Sequence, residues 1–204
     1  MRRHRFRTAQ DVRDAVENAF PNLKDSKWYL KSPHSTTYRC IAWAACETYR
    51  SWWPMDCPRN LFPPEVYWPP HLPVADLSVE NFTNAFVDDL GYDPCGKDDS
   101  FEWGFQKVAI YAVMTNGVRE TKHMARQHFF GRGWLSKLGP DEDIVHENLK
   151  DLEGTLYGSV EQILKRPWQI AFWKRLALYS SFRFFIYRLR HPSWIFSNLK
   201  EKVL

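Results

Sequence analysis

Val12, Val16 and Phe20 recur at a spacing of four, which lays one apolar stripe along a helix. Pro21 follows and stops it. Residues 22–37 are polar and close on a Ser-Pro-His-Ser-Thr-Thr cluster at 32–37, a turn signal. Ile41, Ala45 and Tyr49 share the next helical face, with Thr36 or Thr37 able to cap it and Pro54 to end it. Cys40 falls in the first turn of that helix and Cys46 nearly two turns later. Ser78, then Phe82, Phe86 and Leu90, then Gly91 spell a third helix over 78–90. The period then changes. Residues 106–114 form a β-rich apolar run, Thr115-Asn116-Gly117 is a hairpin turn, and 119–128 returns. Gly131-Arg132-Gly133 leads into a third strand over 134–138, so a three-stranded antiparallel meander is expected. The Gly-rich pattern of a nucleotide loop is incomplete there. Val160, Ile163 and Leu164 read as the anchors of a further helix after an acidic loop.

Seven of the thirteen prolines lie within residues 54–76, among aromatic residues that include Phe62, Tyr67 and Trp68. Neither a helix nor a central strand tolerates such a stretch. It reads as a loop packed on the body, in position to form a groove wall or lid. From Pro167 the composition shifts to aromatics and arginine, which suggests a helical appendage. We therefore divide the chain into a domain over 1–166 and a basic aromatic appendage over 167–204.

With 44% apolar residues and ten tryptophans, the chain can fill a core and is not of the disordered class. No uncharged apolar run reaches the roughly 18 residues of a membrane span. No apolar signal core follows the basic start either, so a cytoplasmic location is expected. The net charge of +4 is unevenly spread. Residues 1–9 hold four arginines, and 167–204 hold seven Lys or Arg against one Glu, which leaves the middle net acidic by six. The basic ends suit an anionic surface, with solvated tails as the plain alternative.

The four cysteines, Cys40, Cys46, Cys57 and Cys95, form no C-x-x-C pair. In a cytosolic chain they are expected to be free thiols. Cys57, His71 and Cys95 match no zinc spacing, and no metal or other cofactor is expected. A thiol at a helix start is favoured as a thiolate. A histidine on a packed strand can serve it as base, and a third group can orient the ring. Cys40 and His123 fit the first two roles. Ser136, Asp143 and His146 are the candidates for the third, with Asp143 favoured for its charge. Cys46 is expected to be buried core.

The segments Thr-Tyr-Arg-Cys40-Ile-Ala-Trp-Ala, Trp52-Trp53-Pro54, Tyr67-Trp68-Pro69, Gly91-Tyr92, Gly104-Phe-Gln-Lys-Val-Ala-Ile-Tyr111, His123-Met-Ala-Arg-Gln127, Trp134-Leu-Ser-Lys-Leu-Gly139 and Asp143-Ile-Val-His146 resemble a bacterial family of unknown function over about residues 15–165. That family is in turn distantly similar to papain-like cysteine endopeptidases. The resemblance implies a papain-like α+β fold, with N-terminal helices packed on a small antiparallel sheet. In those endopeptidases the histidine usually opens the first hairpin strand, where this chain has Gln106 and Lys107. Either His123 takes the base role or the site is degenerate.

Two functions follow from these residues. One is a cysteine-dependent peptidase or amidase acting on a protein or peptide-like substrate. Cys40 would attack the carbonyl, His123 would carry the proton, and backbone N–H groups would hold the oxyanion. The alternative is a non-catalytic protein-interaction module on the same scaffold, using the proline–aromatic loop or the C-terminal appendage.

Overall fold

The structure is a computed structural model that describes residues 8–32, 35–54 and 66–168. Thr8 begins it as the N-cap of α1 (Ala9–Ala19), in a reciprocal capping box with Asp11. Val12 and Val16 are the buried stripe of this helix. A 3-10 turn, Pro21–Asp25, then delivers the chain to β1 (Trp28–Ser32). Trp28 and Leu30 alternate inward there, within a segment whose polar composition suggested only turns.

The second helix is much shorter than its apolar spacing predicted. α2 spans only Cys40–Ala44. Cys46 takes a left-handed φ of 66°, and the Cys46 and Glu47 N–H groups donate back to Trp43 O and Ala42 O at 3.1 and 2.8 Å. This is the closing hydrogen-bond pattern of a helix end. The chain then extends as β2 (Ser51–Trp52), which pairs in parallel with β3 (Val66–Tyr67). The third helix matches its sequence signals: α3 (Val79–Leu90) is capped by Ser78 and stopped by Gly91 in the left-handed region.

β4 (Asp93–Pro94), β5 (Phe105–Thr115), β6 (Val118–Gln127), β7 (Trp134–Lys137), β8 (Asp143–His146) and β9 (Ser159–Pro167) follow. With β1 they form one seven-stranded antiparallel sheet in the order β1-β8-β7-β6-β5-β9-β4. The expected meander is its centre, β7-β6-β5. Asn116 and Gly117, at φ 50° and 81°, make the β5–β6 turn, and positive φ at both central positions suits the strand twist. Residues 159–167, read as part of a helix, are instead a long strand beside β5.

Alternation along these strands creates two cores. Ala109, Tyr111, Ala125 and Ile144 face α1 and the 3-10 turns. Val108, Ile110, Met124 and Leu164 face α2 and α3. The expected papain-like α+β architecture is therefore corrected. The described residues hold a seven-stranded antiparallel sheet with three helices, not long helices packed on a small sheet. The cause is local. The left-handed turn at Cys46 ends α2 after five residues, and the β9 segment finds its hydrogen bonds in β5. The helical appendage expected over 167–204 lies outside the described residues, apart from the close of β9 and Trp168.

Candidate functional site

His123 lies on β6 with the parity of Ala125, so it points to the α1 face. It has no solvent exposure, and its ring stacks on Tyr157 at 4.2 Å. Its Nε2 is 3.0 Å from Ser136 Oγ, which is 2.9 Å from His146 Nε2. His146 Nδ1 lies 2.8 Å from Asn148 O. A carbonyl only accepts, so Nδ1 of His146 carries the proton and its Nε2 accepts from the Ser136 hydroxyl. Ser136 has one proton, so its oxygen then accepts from His123 Nε2–H. These hydrogen bonds are formed with both rings neutral, and His123 Nδ1 is left buried without a hydrogen-bond partner among the described residues. Burial, with His146 adding repulsion, holds the His123 pKa well below its ordinary value. Burial brings His146 down to about 4, against the pull of Asn148 O and Asp151.

Cys40 is on the other side of the sheet. It belongs to the core under α2, with Met124 as a neighbour. Burial pushes its thiol up, and backbone hydrogen bonds from Met124 and Ile41 only partly oppose this. The histidine of the expected pair thus sits across the sheet from the cysteine, and no imidazole faces the thiol from β6. Asp143 does not orient His123 either. It has the parity of Val145, opposite to Ile144 and His146. Its carboxylate accepts from Ser32 Oγ and from Tyr38 OH at 3.2 Å, and it pairs with buried Lys137 at 3.7 Å. Burial raises the Asp143 pKa, and Lys137 is the main group pulling it down. Of the three candidates for an orienting group, Ser136 and His146 join His123, while Asp143 shares the Cys40 face.

The face beneath α2 carries a second constellation that the sequence did not single out. Cys46 is half-buried at the end of α2. Arg126, on β6 with the parity of Met124, donates through Nη1 to Cys46 Sγ at 2.7 Å and to Trp43 O at 3.2 Å. Its guanidinium lies 4.5 Å from the centre of the Trp43 ring. Arg126 is 1% exposed, yet its Nε and Nη2 make no hydrogen bond among the described residues. Gln106 Oε1 lies 3.8 Å from the same sulfur. Arg166, paired in register with Gln106, donates to Leu90 O at 2.8 Å and packs on Tyr92 at 4.4 Å. Burial raises the Cys46 thiol pKa, and Arg126 and Arg166 only partly oppose this. The neighbourhood is rich in positive charge: burial and Arg126 lower Lys31 to about 8. The expectation that Cys46 is buried core missed these contacts. The readable signal was strand parity, which puts Arg126 and Met124 on one face.

Aromatic residues gather at one end of the sheet. Trp103 is 70% exposed, with Phe101 and Phe130 also exposed. Trp103 meets Phe101 at 6.3 Å and Trp168 at 5.0 Å, and Trp168 meets Phe129 at 4.5 Å. Gly131, at φ +64°, lets Phe101 lie against it, because a Cβ there would come within 2.5 Å of the ring. Of the proline–aromatic loop, residues 55–65 with Cys57 lie outside the described residues, as do residues 1–7. No helix among the described residues is long and apolar enough to cross a membrane.

A domain of unknown function (DUF7689) matches residues 29–165. That span lies within the 15–165 over which the sequence resembles a family of unknown function. No curated protein and no solved structure matches the chain.

Proposed function

This chain belongs to the DUF7689 family, and we propose that it is a non-catalytic protein-interaction module whose contact face is the aromatic end of the sheet. The observation that carries the reading is the placement of Cys40 and His123 on opposite faces of one sheet. A thiol and its base must come within hydrogen-bond reach, directly or through one water. Among the described residues His123 is hydrogen-bonded to Ser136, and Cys40 lies in the core under α2. His123 is also kept neutral. The contact face is supported by Trp103, Phe101 and Phe130, since exposed aromatic clusters of this kind mark interaction surfaces.

The test is the rate of iodoacetamide labelling at each cysteine against pH, by mass spectrometry, in wild type and His123→Gln. Cys40 is expected to label slowly at neutral pH and no differently in the variant. Rapid labelling of Cys40 below about pH 7 that slows roughly tenfold in His123→Gln would restore the hydrolase and end the module reading. The contact face is tested by cross-linking followed by quantitative mass spectrometry. A partner joined to wild type must be lost in Trp103→Ser with Phe130→Ser. Equal recovery in both places the contact elsewhere.

A further inference from the structure

We propose that Cys46 is a site of reversible oxidation by hydrogen peroxide, its oxidised form held as a sulfenate by Arg126. Three observations carry this. The first is the buried guanidinium of Arg126. Its polar contacts are one backbone carbonyl and the Cys46 sulfur, and two further nitrogens are without hydrogen bonds among the described residues. A desolvated cation of this kind is satisfied when an anion stands beside it. The thiol sulfur is the group placed to become that anion.

The second is the backbone. Cys46 occupies the left-handed position that follows a helix end, at φ 66°. Glycine is the usual residue there, because a Cβ in that region is strained. A cysteine in that place keeps a side chain at the expense of backbone comfort, and that side chain reaches Arg126.

The third is access. Cys46 is half-buried, whereas Cys40 is buried beneath α2. Cys95 is also half-buried, but its Sγ is turned to Ile163 O at 3.4 Å. Susceptibility to peroxide follows thiolate character and exposure together. Among these three, Cys46 alone has an arginine nitrogen in hydrogen-bond contact with its sulfur.

In the reaction, the Cys46 thiolate sulfur attacks one peroxide oxygen. The S–O bond forms as the O–O bond breaks, and hydroxide leaves. That hydroxide takes the sulfenic proton and becomes water. Sulfur is oxidised by two electrons and the peroxide is reduced by the same two. The new sulfenate oxygen is a stronger acceptor than sulfur and lies beside the Arg126 N–H groups that lack partners. A thiol reductant reverses the step.

The experiment treats the reduced full chain with hydrogen peroxide in the presence of dimedone, which traps sulfenic acids, and measures adducts at each cysteine by mass spectrometry. Cys46 is expected to be trapped about tenfold faster than Cys40 or Cys95, and Arg126→Met is expected to remove most of that advantage. Because Arg126 is buried and its loss can unfold this end of the sheet, wild type is also measured in denaturant. There the Cys46 advantage must vanish. Trapping of Cys46 no faster than of Cys95 in the folded chain overturns the proposal. So does an advantage that survives denaturation, or one that survives in folded Arg126→Met, because the guanidinium would then play no part.

Discussion

Acidification from pH 7 to 4.5 is expected to remove about 2 to 3 kcal/mol of stability through His146 alone. The ring is buried and neutral, with its pKa brought from 6.5 down to about 4. In the unfolded chain it returns to about 6.5. Between those values the unfolded state binds the extra proton, so stability rises with pH across this window. The contribution is complete above pH 6.5 and is lost as pH falls toward 4. His123 acts in the same direction, since its pKa is also lowered. Asp143 acts in the opposite direction, because burial raises its pKa and the folded state then holds the proton more readily. The measurement must therefore isolate His146. Urea unfolding of wild type and His146→Gln at both pH values does so. The drop between the two pH values should shrink by about 2 kcal/mol in the variant. An unchanged drop would mean that His146 protonates freely in the fold, and the neutral His123–Ser136–His146 chain would be wrong.

Lys137→Met is expected to cost about 3 to 5 kcal/mol. Its ammonium is fully buried, 3.7 Å from Asp143, and it also donates to Asp141 O. Removing it leaves the Asp143 carboxylate desolvated, with only Ser32 and Tyr38 as hydrogen-bond donors among the described residues. Asp143 would then meet its desolvation by taking up a proton, so the loss should be largest at neutral pH and smaller in acid. Adding Asp143→Asn to Lys137→Met removes the orphaned charge and should recover part of the loss. A double-mutant cycle from chemical denaturation gives the coupling. A single-variant cost below about 1 kcal/mol would show the pair to be solvated.

The two flanking helices α1 and α3 and the central meander were legible because their signals are local. A capping residue, a four-residue apolar spacing and an Asn-Gly turn each act within a few residues. β9 was not legible, and the reason can be named. The register shift between Ile110 and Tyr111 leaves Glu161 bulged, so Val160 pairs with Tyr111 and Ile163 with Ala109. Residues three apart then face the same core, which imitates helical spacing. α2 misled in a similar way. Ile41, Ala45 and Tyr49 share a helical face on paper, but the left-handed turn at Cys46 ends the helix before Tyr49.

For the site, local sequence contained the parity of each strand residue: His123 opposite Met124 and Arg126, and Asp143 opposite Ile144 and His146. It also contained the candidate chemistry of every side chain. It did not contain the face of the sheet on which α2 would land, because that is set by contacts between segments some 80 residues apart. The tertiary structure put α2 over Met124 and Arg126 and put α1 over His123. That one choice separated Cys40 from the histidine proposed for it and brought Cys46 to Arg126. Hydrophobic burial decides it, because both faces of the central strands are apolar and each needs its own cover.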